Sequence, residues 1–217
     1  MNYTPLPSPP EAEPVMDRRA RILDAAERCF VRSGFHRTTM QDVAAEAGMS
    51  PGNLYRYFAS KEAMVVGLAE RDRARVGDDF SAFTGNEDFL ETFARIARKH
   101  FAEEPRERAI LCLEIWAEAT RSRTFATISR DFECDIIQRL AALFSDAQSR
   151  GFVSAQADPN AVAVVVATLA NGLFVRRAIA PDFDAEREVG YTLKLIGGLL
   201  KGAIDLSTDQ QNTGASS

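Results

Sequence analysis

The chain has 217 residues, of which 46 % are hydrophobic and 26 % are charged, and its formal net charge is −5. This composition is ordinary for a soluble globular protein, and the length allows one domain or two. The chain has no apolar run approaching the roughly 18 residues of a membrane span, and no basic start followed by an apolar centre as in a secretory signal. Membrane and secreted proteins are therefore excluded, and we expect a cytoplasmic protein.

The first 16 residues contain five prolines and two glutamates but no basic residue. Such a segment cannot bury enough apolar surface to fold, so residues 1–16 are predicted to form a disordered arm. The polar residues 207–217 are predicted to form a disordered tail.

Cysteine and histidine spacing predicts neither a disulfide scaffold nor a metal site. Cys29, Cys112 and Cys134 are odd in number and far apart, and they are interpreted as small apolar core residues. His36 is expected in a loop and His100 on a helix surface, without a spacing that binds metal. We expect no metal ion and no cofactor.

Hydrophobic periodicity and helix-end signals predict an all-α fold of about nine helices, with no hairpin signal that would favour strands. The predicted helices are residues 17–34, 39–47, 51–57, 60–83, 87–102, 105–121, 124–150, 158–179 and 184–206. Residues 17–62 are predicted to form a three-helix, helix-turn-helix head. Residues 63–206 are predicted to form a helical bundle for ligand binding and dimerisation.

Residues 37–61 have the pattern of a helix-turn-helix motif. Thr39 and Asp42 have capping-box spacing, Gly48 suits a sharp turn, and Ser50 suits the cap of the next helix. An apolar stripe on helix 17–34 is predicted to pack against the two helices of this motif. The stripe is Ile22, Ala25, Ala26, Cys29 and Phe30, and its predicted partners are Val43, Ala44, Ala47, Leu54, Tyr55 and Phe58.

The second helix of the motif is predicted to enter the major groove of DNA. Pro51 and Gly52 leave its first turn slim, and Asn53 can donate to and accept from a base edge. The side chains expected to reach flanking phosphates are Tyr55, Tyr57 and Lys61, although either tyrosine ring can also pack in the core. Residues 17–61 carry eight basic and five acidic residues, whereas residues 62–217 carry 18 and 24. This distribution predicts DNA contact at one end only.

The segments ILDAAERCFVRSGF (residues 22–35) and TTMQDVAAEAGMSPGNLYRYFASKE (residues 38–62) resemble the TetR/AcrR family of bacterial transcriptional regulators. The resemblance implies a nine-helix homodimer that binds double-stranded DNA. It implies phosphate contacts by Thr39, Tyr55, Tyr57 and Lys61, and an approach to bases by Gln41, Pro51, Gly52, Asn53 and Arg56. The family often has histidine where Tyr57 stands, and Tyr57 keeps a hydroxyl donor. Pro51 has no side-chain donor, so base reading is expected to fall on Gln41 and Asn53.

Helix 158–179 is apolar on all sides and therefore needs cover on all sides. One chain can cover one face, and helix 184–206 can cover part of the rest. We therefore predict a two-fold homodimer built mainly on these two helices.

An effector site is predicted in the bundle from aromatic residues with a few polar neighbours. The candidates are Phe89, Phe93, Trp116, Glu118, Phe125, Phe132 and Asn171. The alternatives remain open, since aromatic residues at helical spacing are usually core and Glu118 suits a solvated surface. Arg176 and Arg177 could anchor an anion or extend to water.

The sequence thus favours a ligand-responsive transcriptional regulator, a repressor that binds a palindromic operator as a dimer and leaves it when a small-molecule effector binds. A transcriptional activator or a ligand-independent regulator of the same fold is the alternative. An enzyme is disfavoured because the chain has no nucleophile–base pair, glycine-rich phosphate loop or metal spacing. A protein-interaction module is disfavoured because it has no need of a slim, polar helix start.

Overall fold

The computed structural model of the chain describes residues 15–81, 83, 88–204 and 206. The predicted tail lies outside these residues, as does the predicted arm except for residues 15 and 16, which already belong to the first helix. The helices are α1 (Val15–Ser33), α2 (Met40–Glu46), α3 (Pro51–Tyr55), α4 (Lys61–Ser81), α5 (Phe89–Arg98), α6 (Arg106–Ala119), α7 (Arg123–Ser149), α8 (Pro159–Ile179) and α9 (Ala185–Leu200). The described residues contain no strand, and the predicted all-α fold with nine helices is confirmed.

Several helix bounds differ from the prediction by one or more residues. Helix α3 ends at Tyr55, two residues early, and the predicted helix 87–102 is divided into α5 and a π-helix over Lys99–Glu103. Helix α9 ends at Leu200 because Gly202 has a φ of 70° and the amides of Gly202 and Ala203 bond back to Leu199 and Gly198. A left-handed glycine of this kind ends many helices.

The first compact unit, called the head below, runs to Leu68. The sequence predicts a boundary after residue 62, whereas the first two turns of α4 bury Met64, Val65 and Leu68 within the head. Gly67 permits this packing, since a Cβ atom there would lie 3.0 Å from Cδ2 of Leu23. The head is therefore a four-helix unit.

The core of the head follows the predicted stripe. Residues Ile22, Ala25, Ala26, Cys29 and Phe30 of α1 are all buried. Their buried partners are Val43, Ala44 and Ala47 around α2 and Leu54 and Phe58 around α3. Tyr55 was also expected in this core, and that expectation is wrong because its side chain is 50 % exposed.

The second compact unit, residues 69–217, contains the rest of α4 and helices α5 to α9. Helix α8 packs on α6, α7 and α9. Contrary to the expectation that no apolar run approaches the length of a membrane span, α8 is long and apolar enough to cross a membrane by length and composition alone, the one such helix among the described residues. Because α8 supplies Val162, Ala163 and Val166 to the core of the unit, we interpret it as the central helix of the bundle.

The three cysteines do not share one environment, contrary to the prediction that all are buried. Cys29 is buried, which raises the pKa of its thiol, whereas Cys134 on α7 is exposed.

Since the thiolate is the reactive form, we expect iodoacetamide at pH 8 to modify Cys134 well before Cys29. Mass spectrometry of timed samples tests this order, with Cys134→Ser as the control that removes the fast site. Equal rates at the two residues would contradict the buried position of Cys29.

Candidate nucleic-acid interface

Helix α2 begins with the predicted capping box. Thr39 Oγ accepts from the amide of Asp42 at 3.2 Å, and Asp42 Oδ2 accepts from the amide of Thr39 at 2.8 Å. The Thr39 hydroxyl also lies 2.7 Å from Oδ2. Hydrogen bonds from the backbone and side chain of Thr39 hold the pKa of Asp42 below its usual range. The exposed Thr39 hydroxyl is thus committed to Asp42, and its contact with phosphate stays a prediction.

The turn between α2 and α3 is formed as the sequence predicts. Gly48 has a φ of 68°, and the amide of Met49 bonds to the carbonyl of Ala44 at 2.9 Å. Ser50 then caps α3, because its hydroxyl accepts from the amide of Asn53. Residues without a Cβ adopt this positive φ without strain, so Gly48 sets the direction in which α3 leaves the turn.

All nine residues predicted to contact DNA lie at the surface of the head. Thr39, Gln41, Pro51, Gly52, Tyr55 and Arg56 are exposed, and Asn53, Tyr57 and Lys61 are partly exposed. The buried members of the same segment are Leu54 and Phe58. Because α3 ends at Tyr55, Arg56 and Tyr57 lie in the turn that follows the helix.

Lys61 has a structural role that its sequence position did not reveal. Its Nζ atom donates to the carbonyl of Phe35 at 2.6 Å and to that of His36 at 3.3 Å. The same atom lies 4.5 Å from the centre of the Phe35 ring. Lys61 therefore ties the start of α4 to the α1–α2 loop, whether or not it also faces a phosphate.

A second missed residue is Thr38, which is buried between α1 and α2. Its hydroxyl contacts the carbonyl oxygens of Cys29 at 3.1 Å and Gly34 at 2.8 Å. A buried hydroxyl must be paired, and here it pairs with backbone groups at the end of α1. Thr38 thereby helps to fix the entry into the helix-turn-helix.

The positive charge of the head is smaller than the residue count suggests. Glu46 of α2 accepts from Arg28 at 2.8 Å and from Arg32 at 3.2 Å. Hydrogen bonds from these arginines lower the pKa of Glu46, which is therefore charged at neutral pH. Two of the eight basic residues counted in the sequence thus share a carboxylate and lock α1 onto α2.

Comparisons with known proteins agree with this geometry. The family model described as bacterial regulatory proteins of the tetR family matches residues 22–68. The model described as the C-terminal domain of BetI-type transcriptional repressors matches residues 90–201, about half of the chain. The chain belongs to the TetR family. It is therefore a DNA-binding transcriptional regulator and not an enzyme.

Several TetR-family relatives align along nearly the whole chain. The chain is 31 % identical over 194 residues to the HTH-type transcriptional repressor KstR of Mycobacterium tuberculosis, covering 86 % of this chain and 84 % of KstR. It is 28 % identical over 200 residues to the HTH-type transcriptional regulator UidR of Escherichia coli, covering 88 % and 95 %. The solved structure of Salmonella enterica GusR matches with a TM-score of 0.73 and 28 % identity, covering 88 % and 98 %.

In the second compact unit of this TetR-family chain, two predicted effector residues belong to the packed core. Phe89 and Phe93 of α5 are buried, with ring centres 6.3 Å apart. The Phe93 ring lies 5.8 Å from that of Phe144 on α7. These contacts explain both aromatic residues as core, so their effector role stays a prediction.

The other predicted effector residues lie in separate surroundings. The ring centres of Trp116 and Phe174 lie 6.1 Å apart in an edge-to-face arrangement. Phe125 is buried at the start of α7. Asn171 is partly exposed and donates to Glu133 at 3.3 Å. Glu118 lies 3.9 Å from Arg121. These contacts are with different partners and do not join the predicted residues into one site.

Both arginines at the end of α8 contact protein groups, although Arg176 is also exposed. Arg176 pairs with Glu188 of α9 at 2.6 Å. Arg177 donates to the carbonyls of Phe101, Ala102 and Glu104, and burial lowers the pKa of its guanidinium. Both are therefore committed to protein groups, and the alternative in which they anchor an anion is not favoured.

The π-helix is also joined to α4, through Asp79. This carboxylate accepts from Lys99 at 2.6 Å and lies 2.8 Å from Nε2 of His100. Burial raises the pKa of Asp79, but hydrogen bonds from Lys99 and His100 outweigh it and leave the pKa lowered. His100 is thus largely buried against a carboxylate rather than on an open helix surface.

Within the described residues, no group of three or more histidine, cysteine, aspartate or glutamate side chains could hold a metal ion. The second compact unit contains a polar residue, Arg73, that the sequence analysis did not identify. Arg73 of α4 lies over the ring of Phe132 at 5.8 Å. In the sequence its charge alternates with that of Glu70, Asp72 and their neighbours, a pattern that usually marks a solvated helix face.

Proposed function

We propose that this TetR-family chain is a cytoplasmic repressor that binds a palindromic operator as a homodimer and is released by a small-molecule effector. The observation that carries the DNA-binding part is the arrangement of α2 and α3. A capped α2, a positive-φ turn at Gly48 and a capped, slim α3 present Asn53 and Tyr55 at the surface. Such a helix start suits the major groove.

The homodimer is supported by an apolar stripe that is exposed in the protomer. On α8 the stripe contains Val164, Val175 and Ile179. These residues are spaced 11 and 4 positions apart, so they share one helix face. Tyr191 and Leu195 of α9 are exposed at an interval of 4 residues. Burying a common face of α8 and α9 against a second copy would give a two-fold interface.

Repression is supported by the relatives. KstR is named a transcriptional repressor, and the matching C-terminal family model is that of BetI-type repressors. An effector would act by binding one conformation of the dimer better than the other, which shifts the population away from the operator-bound spacing.

Selection from a randomised DNA pool tests the operator claim. The full-length protein is incubated with the pool at near-physiological salt, and the retained DNA is sequenced. We expect a palindromic motif whose half-sites are about one helical turn apart. Enrichment of a single, unrepeated half-site would contradict dimeric reading, and the absence of any motif would contradict operator recognition.

Lys61 provides a sharper test of the phosphate contacts. In Lys61→Met the slope of the logarithm of the operator-binding constant against the logarithm of the salt concentration is expected to become less steep by about one unit per half-site. The change should be the same for all DNA sequences. It is also expected to lower stability by about 0.5–1.5 kcal/mol, because the carbonyls of Phe35 and His36 lose their donor.

Fluorescence anisotropy at several salt concentrations measures the slope, and thermal unfolding measures the stability. Lys201→Met is the matched control, since Lys201 is an exposed lysine at the end of α9. A stability loss with an unchanged slope would assign Lys61 to the structure of the head alone.

A further inference from the structure

Buried polar atoms without a hydrogen-bond partner occur on α4 and on α7, two helices that are joined by the contact of Arg73 with Phe132. The Nε atom of Arg73 and the hydroxyl of Ser129 are both shielded from solvent and make no hydrogen bond within the described structure. Buried polar groups are nearly always paired, so two orphaned groups on these helices call for a missing partner.

Arg73 differs from the other arginines of this region in lacking an anion. Arg75 pairs with Glu104 at 2.5 Å, and Arg108 bonds to Asp72 at 2.8 Å. In the part of the chain that is described, the Nε atom of Arg73 has no hydrogen-bond acceptor, no carboxylate pairs with the guanidinium, and the guanidinium lies over the ring of Phe132. A partly buried guanidinium of this kind is a ready anion receptor.

The geometry around Arg73 suits an anion with an apolar body. A guanidinium over an aromatic face keeps the N–H groups along its edge available for a planar carboxylate or a phosphate. Ser129 and Phe132 are three residues apart on α7, and buried Phe125 precedes Ser129 by four, so the three share one face. The hydroxyl of Ser129 can add a neutral donor beside apolar surface.

We propose that Arg73, Ser129 and Phe132 form a binding site for an organic anion, with the guanidinium and hydroxyl holding its carboxylate or phosphate group. The proposal deepens and rests on the proposed function, because it gives the chemical class of the effector. Arg73 lies on α4, whose first turns are part of the head, so an anion bound there acts on the helix that continues into the DNA-binding unit.

Thermal unfolding of the full-length protein with matched probes tests the site. The probes are benzoate and octanoate with their neutral amides, and phenyl phosphate with phenol, all at equal ionic strength. We expect at least one anion to raise the Tm above its neutral partner, and phenyl phosphate acting alone would identify phosphate as the recognised group. No anion-specific shift with any probe overturns the proposal.

Substitutions assign the effect to the site. Arg73→Met is expected to weaken binding of the active anion roughly 10- to 100-fold, and Ser129→Ala, which is the milder change, to weaken it several-fold. Arg130→Met is the control, since Arg130 is an exposed arginine on α7 that pairs with the adjacent Asp131. A Tm shift that survives in Arg73→Met, or is lost equally in Arg130→Met, overturns the assignment.

Failure of this proposal is distinguishable from failure of the proposed function. Wild-type protein that enriches a palindromic operator but shows no anion-specific shift leaves the regulator intact and removes the anion site. Anion binding that needs Arg73, in a protein that enriches no DNA motif, would retain the site and reject the operator claim.

Discussion

Val175→Asp is expected to convert the protein from a dimer to a monomer and to abolish operator binding at nanomolar concentrations. Val175 lies within the exposed apolar stripe of α8. In a two-fold dimer the substitution would be present in the interface twice, once from each protomer. Burying an unpaired carboxylate costs several kcal/mol, so we expect dimerisation to weaken by at least about 100-fold. Analytical ultracentrifugation measures the mass, and anisotropy measures binding to the selected operator.

Phe152→Asp is the matched control. Phe152 is also an exposed apolar side chain, but it lies after α7 and outside the stripe. We expect this variant to remain dimeric and to bind the operator normally. A dimeric Val175→Asp, or a wild-type protein that is monomeric at micromolar concentration, would reject the α8–α9 interface.

Phe58→Ala is expected to destabilise the head by about 3–5 kcal/mol, as for other buried phenylalanines. The ring is 2 % exposed, lies 4.4 Å beneath the guanidinium of Arg19 and packs against Gly67. This loss is a large part of the roughly 5–15 kcal/mol that stabilises a typical domain. Hydrogen exchange of the full-length protein should show faster exchange in α1 to α3, with operator binding lost as a consequence.

Tyr55→Ala separates stability from recognition. Tyr55 is three residues before Phe58 but is half exposed, so its removal should change stability by less than about 1 kcal/mol. Operator affinity should nevertheless fall, because the predicted phosphate contact is lost. Strong destabilisation by Tyr55→Ala, or normal exchange in Phe58→Ala, would contradict the roles given to these two rings.

The local features of the head could be predicted because each is encoded within a few residues. The 3.6-residue period gave the stripe of α1, and the capping box and the turn at Gly48 are properties of short segments. The pairing of Glu46 with Arg28 and Arg32 could not be predicted, since it depends on how α1 packs against α2. The same limit hid the contacts of Lys61 with Phe35.

The roles of the aromatic and charged residues in the second compact unit were harder to predict, for a physical reason. An aromatic residue at helical spacing has the same sequence pattern in a packed core and in a ligand pocket, and Phe89 and Phe93 proved to lie in the core. Arg73 was hidden by the opposite effect. Alternating charge along a helix usually marks a solvated face, and only the three-dimensional arrangement reveals that the carboxylate next to it in the sequence, that of Asp72, pairs with Arg108.

The close approach at Gly67 restricts where a TetR-family chain of this sequence can bend. Because Leu23 and Phe58 close over Gly67, α4 cannot slide or pivot against α1 and α3 without breaking the core of the head. The head has no internal hinge at this end. The first two turns of α4 therefore move with α1 to α3 as one piece.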